Sequence, residues 1–286
     1  MKTGFRRRSV LFAPASDFRL LSKMPRSSPD AVVLDLEDGT PPASKSTGRD
    51  TILRALAEID FGGAEVIVRV NAMDSPFAAD DIEWLRAQRP EVDALMVPKV
   101  EGPADLQNLQ AQLGRRVPLW VLPTETARGY RNLQATLDVD DVTAVVWAAE
   151  DFAADIGAAG SRDSGGALLE VFRVARAQTL LAAKAAGVSA IDTTYVALRD
   201  LDGLRREAEL CRDMGFDGKA AIHPAHIEVI NEVFQPGADA VDRARRLVRA
   251  FDAAGGGAIR FDDQMVDAPH YKQARRLLAR AGLPSA

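Results

Sequence analysis

The sequence predicts an α/β protein folded as a (β/α)8, or TIM, barrel with a C-terminal helical extension. Three observations carry that expectation. First, eight short apolar or β-rich runs, at 9–15, 31–37, 65–71, 94–100, 118–125, 142–151, 189–195 and 218–224, are each bounded by turn residues. Segments of helical spacing follow them, at about 17–28, 42–59, 77–89, 103–114, 126–137, 167–186, 200–215 and 226–233. Second, the runs are mostly continuous rather than alternating, the pattern of parallel strands covered on both faces. Eight such repeats in roughly 225 residues fit a closed barrel better than an open doubly wound sheet. Third, polar residues gather at the C-terminal ends of the runs: Glu37, Asp38, Arg69, Asn71, Lys99, Glu125, Asp151, Asp192 and His223. Barrel enzymes place their chemistry there.

Taken in order, the first run is followed by Pro14-Ala15-Ser16-Asp17, not by the G-x-G-x-x-G of a dinucleotide fold, and no P-loop occurs. Arg19 and Lys23, four apart, would share a helix face, either as a solvated basic surface or as a hold for a phosphate-bearing ligand such as coenzyme A. The second run ends in Asp35-Leu36-Glu37-Asp38-Gly39. Alternation sends Asp35 and Glu37 to one face, where they could bind metal waters or orient Arg69. Arg69 sits between valines in VIVRVN. A buried guanidinium needs an anion, which is either Glu37 or Asp38, or a substrate oxygen that gains charge during reaction. Lys99 is a Schiff-base candidate, although the nearby acids would hold it charged and unreactive.

The centre of the pattern is 118–129, PLWVLPTETARG, an apolar run that delivers Glu125 to the start of a helix. VTAVVWAAED at 142–151 repeats the arrangement with Glu150 and Asp151. A carboxylate at a helix start can be a simple cap. Two of them on successive strands, Glu125 and Asp151, suggest a hard cation with oxygen ligands, Mg²⁺ first. The stretch 160–166, GSRDSGG, reads as a mobile loop. His223 and His226 have H-x-x-H spacing without a third ligand nearby, so they read as structural histidines rather than a zinc site.

The chain has 286 residues, 36 Lys plus Arg against 41 Asp plus Glu, and a net charge of −5. That balance, without a basic tract, gives no reason for a nucleic-acid partner. One cysteine, Cys211, excludes an intrachain disulfide and fits a reducing compartment. No run reaches the length of a membrane span, and the apolar run behind Arg6–Arg8 is too short for a signal peptide, so a cytoplasmic location is expected. The barrel domain is expected over 1–235. Beyond Pro236-Gly237 an extension, 236–286, carries a helix, three glycines, a β-like stretch and a last helix. It is too small to fold unaided and should pack on the barrel or on a neighbouring subunit.

Together RRSVLFAP, AVVLDLEDG, VIVRVNAMDSP, ALMVPKVE, ETARG, AAEDFAADIG, GFDGKAAIHPAHI and QMVDAPH, in that order, resemble the HpcH/HpaI aldolase–citrate lyase β-subunit family over nearly the whole chain. The resemblance implies a Mg²⁺-dependent carbon–carbon lyase acting on a malyl-CoA or citramalyl-CoA type thioester, in a homotrimer or hexamer. Glu125 and Asp151 would bind the metal and Arg69 would stabilise the enolate. Asp267, from a neighbouring subunit, would exchange a proton with the enolate carbon, while Arg19 and Lys23 would hold the coenzyme A phosphates. It also implies that backbone amides near Glu150 and Asp151 hold the oxo-acid carboxylate. Ala148 stands where the family usually has glycine, Thr124 where it often has an aliphatic residue, and Ala15 where glycine is common. Alternatives within the resemblance are a citrate lyase β subunit working on an acyl carrier protein and a metal-dependent 2-oxo acid aldolase that needs no coenzyme A. A non-catalytic binding protein on the same scaffold is a further alternative.

Overall fold

Eight parallel strands close on themselves in sequence order in the computed structural model, which describes residues 5–283. They are β1 (Ser9–Pro14), β2 (Ala31–Asp35), β3 (Glu65–Arg69), β4 (Ala94–Pro98), β5 (Leu119–Leu122), β6 (Val142–Val146), β7 (Ser189–Asp192) and β8 (Gly218–Ala221). The barrel closes where Val10 of β1 pairs with Ala220 of β8. Each strand lies inside the apolar run expected for it but stops earlier, so most polar residues at the run ends stand on the loops above the strands, while Arg69 and Asp192 are the last residues of β3 and β7.

Helices α1 (Phe18–Leu21), α2 (Lys45–Glu58), α3 (Ala78–Gln88) and α4 (Pro103–Leu113) follow the first four strands. The expected helix at 126–137 is two short ones, α5 (Ala127–Arg131) and α6 (Leu133–Leu137). After β6 come α7 (Ala149–Asp155) and α8 (Glu170–Ala186), then α9 (Leu201–Met214) and α10 (Ala225–Phe234) around β8.

Period-2 alternation sorts the strand residues into two sets. One face fills the lumen with Val10, Val33, Ile67, Met96, Trp120, Val146, Ile191 and Ala220, closely packed around one axis. The other face meets the helices, which is why both faces are apolar. The N-terminal mouth is plugged by Arg7. Its guanidinium binds both oxygens of Glu65 at 2.7 Å, donates to the Thr143 carbonyl, and lies 4.7 Å from the Trp120 ring. A paired, stacked arginine is an inexpensive cation to bury.

The chain divides into two compact units, one ending at Asn231 and one starting at Glu232. Within the second, α11 (Ala238–Ala253) and α12 (Ala268–Arg280) flank an antiparallel hairpin of β9 (Ile259–Phe261) and β10 (Gln264–Val266). Leu247, Val248, Phe261, Val266 and Leu278 form its own small core, with Phe251 stacked on Tyr271 at 4.6 Å. No helix among the described residues is long and apolar enough to cross a membrane.

Candidate active site

A cavity of about 320 Å³ opens at the C-terminal ends of the strands, lined among others by Phe12, Arg69, Glu125, Ala148, Asp151 and Thr193. Arg69, the last residue of β3, points up the lumen. Asp35, its register partner on β2, takes its fork at 2.8 and 2.7 Å, and Glu37 takes the remaining nitrogen at 2.9 Å. Phe12 lies 5.3 Å from the guanidinium. Burial works against the charge, and Asp35 and Glu37 outweigh it and raise the pKa, so Arg69 is a fixed cation. Asp35 is itself oriented by the Glu37 and Gly39 amides. A side chain at Gly39 would collide with that carboxylate.

Asp38, expected beside Arg69, pairs instead with Lys99 at 3.0 Å at the rim. Lys99 also bonds Glu37. Burial pulls against its charge, but Glu37 and Asp38 prevail and raise its pKa. Lys99 is therefore an ammonium without the free pair that Schiff-base formation requires. Its backbone has a left-handed φ of 50°, a conformation a non-glycine residue adopts at a cost of roughly 1 kcal/mol or more. In that conformation its N–H donates to Glu125 Oε2 at 2.7 Å.

Glu125 sits in a 3-10 turn, Pro123–Glu125, directly above β5. Thr126 then caps α5 by accepting from the Gly129 N–H at 3.0 Å. A methyl at Gly129 would run into the carbonyls of Pro123 and Val100, so ETARG needs its glycine for close approach. Thr124 is buried, and its hydroxyl has no hydrogen-bond partner among the described residues. Asp151 lies in the first turn of α7, whose Asp155 accepts from the Ala127 N–H at 2.7 Å. The helix that carries one carboxylate thus clamps the turn that carries the other. Sequence spacing gives no hint of that contact.

The electrostatic result is an acid with too few cations. Burial, then repulsion from Asp151, pushes the Glu125 carboxyl up to about 8, against the pull of Arg69. No side-chain cation hydrogen-bonds it among the described residues; its donor is the Lys99 backbone amide. A divalent cation between Glu125 and Asp151 would supply the missing positive charge, so the residues present fit one. Among the described residues no group of three or more His, Cys, Asp or Glu is arranged to hold a metal. Such an ion would draw its other ligands from water and substrate, as Mg²⁺ commonly does.

Asn71 and Asp192, expected at this end, do not line the cavity. Asn71 gives its backbone and side-chain N–H groups to Asp81 at 2.8 and 2.7 Å. Asp192 has the opposite strand parity to Ile191 and faces α8, where Arg176 takes both its oxygens at 2.9 Å. His226 is buried, donates from Nε2 to the Leu198 carbonyl at 3.2 Å, and has its pKa lowered by burial. α1 ends at Leu21, so Arg19 lies within the helix and Lys23 at the start of the 3-10 turn that follows it. The expected mobile loop at 160–166 is held by Ser161, which donates to Glu150 at 2.8 Å, and by Arg162, which pairs with Glu207 at 2.7 Å. Asp267 caps α12 and meets His270 Nδ1 at 2.7 Å. Cys211 is buried, with its thiol pushed up by burial.

Residues 8–224 match the family described as HpcH/HpaI aldolase/citrate lyase. The chain is 40% identical over 287 residues to the citrate lyase subunit beta-like protein of Deinococcus radiodurans, covering 95% of this chain and 96% of that one. It is 37% identical over 295 residues to the human mitochondrial citramalyl-CoA lyase, covering 96% and 85%. The structure of Mycobacterium tuberculosis CitE in complex with magnesium, acetoacetate and coenzyme A superposes with a TM-score of 0.82 at 32% identity, covering 96% of this chain and 98% of that chain. The chain belongs to the HpcH/HpaI aldolase/citrate lyase family, and it is an enzyme of the carbon–carbon lyase class.

Proposed function

We propose that this family member is a Mg²⁺-dependent lyase that cleaves, or forms in reverse, a malyl-CoA or citramalyl-CoA type thioester, giving an acyl-CoA and a 2-oxo acid. The observation that carries the reading is the Glu125–Asp151 pair: a buried carboxyl held at about 8 beside a second acid, in a cavity whose one lining guanidinium is already paired. The human relative is named a citramalyl-CoA lyase, and the Mycobacterium relative was solved with magnesium and coenzyme A, which supports the thioester and the metal.

Glu125 and Asp151 would hold the ion, which when bound acts as a Lewis acid toward the 2-hydroxy acid oxygens. The protein's own contribution is charge and position. Arg69, locked by Asp35 and Glu37, presents a fixed cation to the thioester oxygen as the breaking C–C bond pushes its electron pair into an enolate. The hydroxyl proton passes to solvent water as the carbonyl of the 2-oxo acid forms, which balances the one delivered to the enolate carbon. One proton returns to the enolate carbon, from Asp267 of a neighbouring chain in this reading. The 236–286 segment is thereby assigned to completing the site of another copy in a homotrimer or hexamer. Arg19 and Lys23 are assigned to the coenzyme A phosphates.

Purified protein mixed with acetyl-CoA or propionyl-CoA and glyoxylate or pyruvate tests the reading directly. A malyl-type or citramalyl-type adduct by mass is expected, dependent on Mg²⁺, abolished by EDTA and absent in Glu125→Ala. Turnover that survives EDTA would overturn it. Arg19→Ala with Lys23→Ala should raise KM for the thioester; an unchanged KM would point to an aldolase that needs no coenzyme A.

A further inference from the structure

Behind β7 and β8, outside the lumen, lies a second ionic cluster that the proposed chemistry does not use. Lys219 of β8 is completely buried. Its ammonium has three protons and three acceptors: Asp192 Oδ2 at 3.1 Å, Glu207 Oε1 at 2.7 Å and the Thr193 carbonyl at 2.7 Å. Charge balance does not explain it. Asp192 already has Arg176 and Glu207 already has Arg162, so without Lys219 the four remaining groups would form two neutral pairs. The lysine instead adds an excess cation at a buried position, where desolvation disfavours charge. Its distinctive bond is the one to Thr193, a backbone carbonyl one residue beyond the end of β7.

Both branches of the cluster end on the same helix. Thr193 Oγ1 accepts from the Ala149 N–H at 3.3 Å, at the first residue of α7. Glu207 continues to Arg162, and the neighbouring Ser161 donates to Glu150 at 2.8 Å. Ala149 and Glu150 are the two residues immediately before Asp151.

We propose that Lys219 is a positioning residue: through Thr193 on one side and Glu207, Arg162 and Ser161 on the other, it fixes the first turn of α7 and hence the Asp151 carboxylate opposite Glu125. This rests on the reading of Glu125 and Asp151 as the cation site. Lys219 itself touches neither substrate nor ion.

Mn²⁺ titration of the purified full-length protein tests it, alongside amide exchange over 147–169 and 193–200. Lys219→Met should keep the circular dichroism of the parent, since it leaves two paired acids. Its Mn²⁺ Kd should rise about 10- to 100-fold, the usual effect of cutting an outer support of a metal ligand. Amide exchange should quicken in both windows. Ser161→Ala, a far milder change, should raise the Mn²⁺ Kd in the same direction by less, and it carries the test alone if Lys219→Met does not fold. Folded variants with parental Mn²⁺ Kd and parental exchange overturn the inference. Failure of the parent protein to bind Mn²⁺ overturns the cation site instead; unchanged exchange in the variants would then also refute the positioning.

Discussion

Two fully buried carboxyls in this barrel are pushed in opposite directions. Burial raises both, but Glu125 rises to about 8 because its next neighbour in effect is Asp151, whereas Asp192 ends below its ordinary value because Lys219 and Arg176 overcome the burial. One cluster has acid to spare and the other has cation to spare. The contrast teaches that burial alone does not mark function; the sign of the unmatched charge does. An acid left short of partners is where a cation can bind, and an acid with two partners is structure.

Breaking the paired side should cost most. Asp192→Asn leaves Arg176 and Lys219 facing a neutral amide, and stability in urea should fall by about 3–5 kcal/mol, the usual cost of removing one partner of a buried pair. A loss below about 1 kcal/mol would show the cluster to be dispensable.

On the open side, Arg69→Gln should lower kcat by roughly 100- to 1000-fold, as for the loss of one fixed donor to a developing oxyanion, and should also cost stability because Asp35 and Glu37 lose their guanidinium. A raised KM with unchanged kcat would mean that Arg69 only binds substrate.

Stability against pH separates the two carboxyls without assuming turnover. Glu125, near 4.5 when unfolded and about 8 when folded, takes up an extra proton on folding between those values. The metal-free protein should therefore lose stability as pH rises from about 4.5 to about 8, and Glu125→Gln should flatten that decline. Asp192, with its folded value lowered, contributes stability that is present at neutral pH and disappears only as pH falls below its ordinary value of 3.8. Mg²⁺ added near pH 7 should release protons, because a bound Glu125 must be ionised, and its affinity should climb with pH up to about 8. Binding that does not vary with pH would contradict a protonated Glu125.

The smallest effect belongs to Lys99, which is partly exposed. Lys99→Met should cost under about 1 kcal/mol, since Glu37 retains Arg69 and Asp38 is exposed. Borohydride with pyruvate should trap no adduct on the parent protein; trapping one would restore the Schiff-base route.

Much of this architecture is legible in the chain. Eight apolar runs separated by helical spacing specify eight parallel strands, because only a sheet covered on both faces tolerates apolar residues at every position. The same grammar fixes the level of Arg69, Glu125 and Asp151, since strand ends in a barrel share one rim. The run ends could not say which polar groups face inward. Asp192, Asn71 and Glu125 look alike in sequence, and a shift of one residue in strand parity, or a strand that ends two residues early, reverses a side chain. Strand register and the helices beyond decided that Asp192 meets Arg176 and that Glu125 meets Asp151. Lys219 was the least legible of all, because a lysine in a strand is bought by partners on β7 and α9 that lie far from it in sequence or on another element. Composition and pattern determine which elements form and at which height their polar ends lie. Pairwise distance, which sets every charge interaction in the site, exists only once the barrel has closed.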